Sequence, residues 1–273
     1  MKPTEIILGL GLGFLLTLFF FPFFVRVFQK GRATSLNYRG EPIPTATGSV
    51  FVFVYLLFVI LVCRWWESNF LIPFFVGVMI FSFLGFLDDL LGSREKRGLR
   101  GHFQALLRGE LTTGGLKAIG GVLGALFVSS ITFPSRPWWE VLTATLLIAL
   151  SANALNLLDL RPGRAIKGFY LWFFALVLGF REGCLFLLLP LAGGLLAYAP
   201  YDFKSKVMLG DSGSNLLGAS LGMVTAWVLP FSTQLVVVLL LVLFHLFTEK
   251  YSLTEVIEKN SFLRFLDNLG RGE

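Results

Sequence analysis

Nine stretches of this chain stay apolar for close to the roughly 20 residues that a helix needs to cross the hydrocarbon core of a bilayer, and no other feature narrows the possible folds so far. They lie at about 6–27, 48–64, 69–90, 115–133, 138–158, 166–181, 184–200, 213–229 and 231–249. The expected fold is all-α: a polytopic integral membrane bundle of about nine transmembrane helices. Composition agrees, since 55% of the residues are hydrophobic, against a share of about 45–50% in soluble domains even with Gly counted. The first run follows only MKPTE and has no small-residue cleavage site after it, so it reads as a retained span rather than a removed signal peptide. Residues 1–250 are expected to form one transmembrane domain and residues 251–273 a cytoplasmic amphipathic tail.

The basic residues orient this bundle. Connections at about 28–47, 91–117, 159–167 and 201–212, the tail, and Arg26 together hold 19 of the 23 Lys and Arg, and only Lys2, Arg64, Arg136 and Arg181 fall at the other ends. The positive-inside rule then places the N-terminus outside and the C-terminus in the cytoplasm. Basic loops facing anionic lipid account for the net charge of +6 without a nucleic-acid partner. All six Asp residues (Asp88, Asp89, Asp159, Asp202, Asp211 and Asp267) fall on the same side and none near mid-membrane. A proton- or ion-coupled transporter carries ionisable groups at the midplane, so that class ranks last.

Three segments at the cytoplasmic ends of helices concentrate the polar chemistry. In GFLDDLLG, Asp88 and Asp89 point about 100° apart on a helix, so at least one faces protein or water; solvated helix-end acids are the plainer reading. In SANALNLLDLRPGRAIKG, Asn153, Asn156 and Asp159 recur every three residues and form a polar stripe, which in lipid must face a bundle interior or a wet cavity. Interhelical hydrogen bonding is the alternative there. In MLGDSGSNLLGASLG, a turn leads into a small-residue helix that Asp211 or Ser212 can cap. The free amides of such an N-terminus favour a phosphate, an ordinary cap being the plainer reading.

Taken together on one side of the membrane, these carboxylates and amides suit Mg²⁺, which usually takes one or two protein carboxylates plus substrate phosphates. Neighbouring Arg94, Lys96, Arg97, Arg100, Lys117, Arg161, Arg164 and Lys167 are available for the phosphates themselves. A metal-diphosphate site at the membrane surface is the reading that uses all three segments.

EPIPTATG in the first cytoplasmic loop, GFLDDLLG, NALNLLD with the following PG, and GDSGS stand in this order across roughly residues 20 to 245. In this ordered set the chain resembles the polyprenyl-phosphate N-acetylhexosamine-1-phosphate transferases. The resemblance implies transfer of a sugar-1-phosphate from a UDP-sugar to polyprenyl phosphate, with release of UMP, in the bacterial cytoplasmic membrane. It implies Asp88, Asp89 and Asp159 as catalytic residues, Asp211 and Asn156 at the Mg²⁺ and diphosphate, and Lys117 as a phosphate-binding lysine. Asn153, Ser212, Arg164 and Lys167 complete the expected substrate-binding set, and a homodimer is a further expectation.

The chain also departs from that pattern. It reads DLRPGR where the family usually has Asp-Gly-x-Asp-Gly-Leu, and Thr47-Gly48 where two glycines are common. In place of a histidine-rich loop stands TEKYSLTEVIEKNSFLRFLDNLGRGE, with an apolar stripe among charges. An amphipathic helix lying on the membrane or closing over the site is expected, and the near-neutral balance of its polar side favours the second. The competing function is a non-catalytic relative that binds polyprenyl phosphate or a partner.

Remaining features read plainly. His245 is a packing residue and His102 a loop residue. Cys63 and Cys184 are expected as isolated thiols. GLGLG at 9–13 marks close helix packing rather than nucleotide binding. Trp65, Trp66, Trp138 and Trp139 form an outer aromatic belt.

Overall fold

A computed structural model describes residues 3–66, 68–92, 109–180 and 182–271. Arg94, Lys96, Arg97, Arg100 and His102 therefore lie outside the described residues. A helix stands at each of the nine apolar runs: α1 (Pro3–Lys30), α2 (Val50–Val62), α3 (Leu71–Leu91), α4 (Thr113–Thr132), α5 (Trp138–Leu158), α6 (Arg164–Gly179), α7 (Leu189–Phe203), α8 (Gly210–Val228) and α9 (Phe231–Lys250). Six of the described helical segments are long and apolar enough to cross a membrane, α7 counting with the 3₁₀ turn Gly183–Leu188 before it. The other three are the shorter α2 and α6, and α8. Strands β1 (Thr34–Leu36) and β2 (Pro42–Pro44) pair antiparallel between α1 and α2. Two short helices, α10 (Leu253–Lys259) and α11 (Ser261–Asn268), form the tail.

Helix α8 is the axis of the bundle. Sixteen of its 19 residues are buried, whereas in α9 only Gln234 and Leu241 are. The sequence explains the difference. Gly218 and Gly222 lie against Ser151, Ala152 and Ile148 of α5, and small residues at i, i+4 let two helix backbones approach closely in a membrane. Large side chains on α9, such as Leu239, Leu240 and Leu246, are exposed in the chain and turn to lipid. Three interior hydroxyls are satisfied locally: Ser151, Ser220 and Thr225 each donate to the carbonyl one turn back, at 2.6, 2.8 and 2.7 Å.

The glycines at the start of α1 do serve packing. A Cβ on Gly13 would collide with the Pro190 carbonyl, and one on Gly193 with the Leu10 carbonyl. Gly193→Ala should therefore force α1 and α7 apart, costing about 1–3 kcal/mol as overpacking does. Gly11→Ala, with nothing within 4 Å, should be neutral or mildly stabilising, since Ala favours a helix over Gly. Thermal midpoints of the two variants in detergent check this, and equal midpoints would refute the close crossing.

The cysteines stand as expected, and the histidine and tryptophans have these surroundings. Nδ1 of His245 lies 2.7 Å from the Leu241 carbonyl within its own helix. Cys63 is exposed and Cys184 buried, both as free thiols. Trp65, Trp138 and Trp139 are exposed, while Trp66 packs edge-on against Phe186 at 4.7 Å.

Candidate active site

The polar residues of α3, α4, α5 and α8 converge at one end of the bundle. Close contact of α3 with α8 starts the arrangement: a Cβ on Gly85 would run into the Asp211 carbonyl, so glycine there lets the end of α3 reach the start of α8. Asp89 then caps α8 across the gap. Its Oδ1 accepts from the Asp211 amide at 2.9 Å and its Oδ2 from the Ser212 amide at 2.9 Å. This corrects two sequence expectations. Helix α8 begins at Gly210 rather than after the GDSGS segment, and its cap is Asp89, not Asp211 or Ser212. Two of the first amides expected for a phosphate are thereby committed to a carboxylate. Gly210, at φ +72, presses its backbone against Asp89 Oδ2, 2.6 Å from where a Cβ would sit; a side chain there would be both strained and blocked.

With Asp89 occupied, its neighbour faces the other way. Asp88 Oδ2 lies 2.7 Å from Lys117 Nζ on α4, and the same ammonium pairs with Asp211 Oδ2. Asn156 on α5 donates from Nδ2 to that Asp211 oxygen at 3.3 Å. Ser214 closes the set, donating to Asn156 Oδ1 at 3.0 Å and to the Gly210 carbonyl at 2.9 Å. Lys117 thus bridges two carboxylates rather than standing free for a phosphate. Ser212 is wholly buried.

Asp159 follows the last residue of α5 and accepts from the Gly210 backbone. Burial, then the nearby carboxylates Asp202, Asp211 and Asp89, push its carboxyl well above the usual carboxylate range. Among the described residues, Lys117 is the cation paired with this group of carboxylates, through Asp88 and Asp211. Among the described residues no three of His, Cys, Asp and Glu form a ready metal cage. Two carboxylates and an amide are nonetheless the donor set that Mg²⁺ shares with substrate phosphates. The first loop supports this end from behind. Gly48 packs on Gly213, its amide donates to the Leu209 carbonyl at 3.0 Å, and the Thr47 hydroxyl lies 2.8 Å from the Tyr198 hydroxyl and 2.7 Å from the Met208 carbonyl.

Three expected substrate residues stand elsewhere. Asn153 is exposed, a turn away from the cluster. Arg164 and Lys167 face the tail. Arg164 forms a two-pronged, buried pair with Asp267 at 2.7 and 2.8 Å and donates to Thr254 at 2.9 Å. Lys167 donates to the carbonyls of Leu266 and Asp267 at 2.9 and 2.6 Å. Arg271 adds bonds to both Asp267 oxygens and to the Pro162 carbonyl at 2.8 Å. Burial opposes ionisation of Asp267, but the bonds and charge of Arg164, then of Arg271, outweigh it and hold the carboxyl below its usual range. No local sequence signal points to a role for Asp267 or for Asp202, whose Oδ2 accepts the Gly163 amide at 2.6 Å and fixes the turn before α6. Each is a lone acid next to apolar residues, and only the partner reveals its task.

Residues 71–229 match the family described as Glycosyl transferase family 4. A phospho-N-acetylmuramoyl-pentapeptide-transferase of Thermotoga neapolitana is 32% identical over 228 residues, covering 78% of this chain and 72% of the relative. Its counterpart from Thermotoga maritima is 31% identical over 228 residues with the same coverage. One from Chlamydia trachomatis serovar L2 is 32% identical over 203 residues, covering 66% of this chain and 60% of the relative.

Proposed function

Because the chain belongs to glycosyl transferase family 4, we propose that it transfers a sugar-1-phosphate from a UDP-sugar to polyprenyl phosphate at the cytoplasmic face of the membrane, releasing UMP. The observation that carries this reading is the convergence of Asp88, Lys117, Asn156 and Asp211 from four helices onto one point. Asp88 and Asp211 are the residues that would hold Mg²⁺, with Asn156 fixing the Asp211 carboxylate. The metal, when bound, offsets charge on the donor diphosphate. Lys117 sits where it can shift from its carboxylate partners to a phosphate oxygen. Asp89 acts through the backbone, holding Asp211 in place.

The acceptor needs little activation. A phosphate monoester has a second pKa near about 6 and is mostly dianionic at neutral pH. Its oxygen attacks the sugar-bearing phosphorus, a new P–O bond forms, and the bond to the bridging oxygen breaks, with the electron pair leaving on UMP. Positioning and charge neutralisation then supply most of the catalysis, and no aspartyl-phosphate is required.

The test is transfer of radiolabel from a panel of UDP-sugars to undecaprenyl phosphate, with and without Mg²⁺. Metal-dependent labelled lipid with at least one donor is the expected result. Binding of polyprenyl phosphate without transfer from any donor would establish the non-catalytic reading instead.

A further inference from the structure

The tail is joined to the bundle at the end of α9 and held at the start of α6, next to the ends of two helices long and apolar enough to span. Its first helix, α10, starts at Leu253, three residues past the end of α9, one of the segments long and apolar enough to span. The second fastening is on α6, whose first residue is six past the end of α5, another such segment. There Asp267 takes Arg164, and Lys167 takes the carbonyls of Leu266 and Asp267. Arg164 and Lys167 are three residues apart, about 4.5 Å along the helix axis. Both reach Asp267, so this residue is held against the first turn of α6.

Helix α11 carries an apolar face that stays exposed, with no cover among the described residues. Phe262, Phe265, Leu266 and Leu269 fall at i, i+3, i+4 and i+7, one face of a helix. They are 65%, 63%, 41% and 56% exposed, while Asp267, turned to the clamp, is 8% exposed. Large exposed apolar patches mark an interaction surface. Here the position of the patch selects its occupant: a face held at the depth where two spans end meets the headgroup and acyl boundary of the same leaflet.

We propose that α11 is an interfacial helix whose Phe262, Phe265, Leu266 and Leu269 seat in the lipid leaflet at the acidic end of the bundle, while Asp267 ties its other side to Arg164. Seating is apolar rather than electrostatic, because the polar side of the tail mixes Glu255, Glu258 and Asp267 with Lys259 and Arg264 and offers anionic lipid no basic face. Lipid contact is thereby passed to the segment behind Asp159, since Arg271 also bonds the Pro162 carbonyl.

The experiment uses the full chain in nanodiscs of zwitterionic phospholipid, with Cys63 and Cys184 changed to Ser and a nitroxide on a single cysteine. Labels replacing Phe262 or Phe265 should collide more with oxygen than with a water-soluble nickel chelate. A label replacing Arg264, about 150° round the helix from the centre of that face, should show the reverse. Neither result should change when anionic lipid is added or salt is raised. Labels at Phe262 and Phe265 that favour the nickel chelate would place the face in water and overturn the proposal. Shielding from both reagents would overturn it too, in favour of a protein partner such as a second copy. Because no turnover is measured, the outcome is independent of whether the donor is a UDP-sugar.

Discussion

Asp211→Asn should lower Mg²⁺-dependent transfer by about 10²–10³-fold, the scale of losing one preorganised electrostatic group in an active site, while the chain keeps its fold. The two effects separate because the residue serves the structure through its backbone and the chemistry through its side chain. Its amide donates to Asp89 whatever the side chain, so the start of α8 stays capped. Its carboxylate is where Lys117 and Asn156 meet. An Asn is the same size but carries no charge, and with one oxygen it cannot both satisfy Lys117 and serve a cation. Radiolabel transfer and a thermal midpoint measured on the same preparation check both halves. Wild-type turnover in this variant would show that the cluster only packs helix ends.

That the helix opened by GDSGS is buried is legible in the sequence, and what caps it is not. Four residues of GDSGS and the small residues after it announce a helix that packs on all sides, which α8 does. That Asp89 caps this helix depends on a contact spanning 122 residues, which local spacing does not encode. Nor does a three-residue repeat keep a stripe straight. Each step of three falls about 60° short of a full turn, so Asn153 stands about 120° from Asp159, and the structure leaves it exposed. Arg164 and Lys167 were read as phosphate ligands because they follow Asp159 in sequence. Arg164 pairs instead with the Asp267 carboxylate, and Lys167 with the Leu266 and Asp267 backbone carbonyls, about 100 residues on. The apolar runs, by contrast, each coincide with a helix, and six of the described segments are long and apolar enough to cross a membrane.

Asp267→Ala should have the largest effect on stability outside the core. Arg164 and Asp267 have side chains 5% and 8% exposed, and removing one partner of a buried pair leaves an uncompensated charge, at a cost of about 3–5 kcal/mol. The loss should be local, because the tail makes its polar contacts with the turn before α6 and its first residues. Hydrogen exchange over residues 253–268 should therefore lose roughly 10²–10³-fold in protection, with α8 unaffected. Adding Arg164→Met should recover much of it by removing the stranded guanidinium. Acid supplies an independent check. The folded Asp267 carboxyl titrates below its usual range, so its contribution is complete above a pH of about 3.9, the ordinary Asp value, and is lost as the pH falls through the folded value. Wild-type tail protection, taken relative to intrinsic exchange, should stay level from neutral pH to that point and then drop. Asp267→Ala should show no such step. A step that persists in the variant would assign the acid sensitivity to another carboxylate and leave Arg164 without its principal partner.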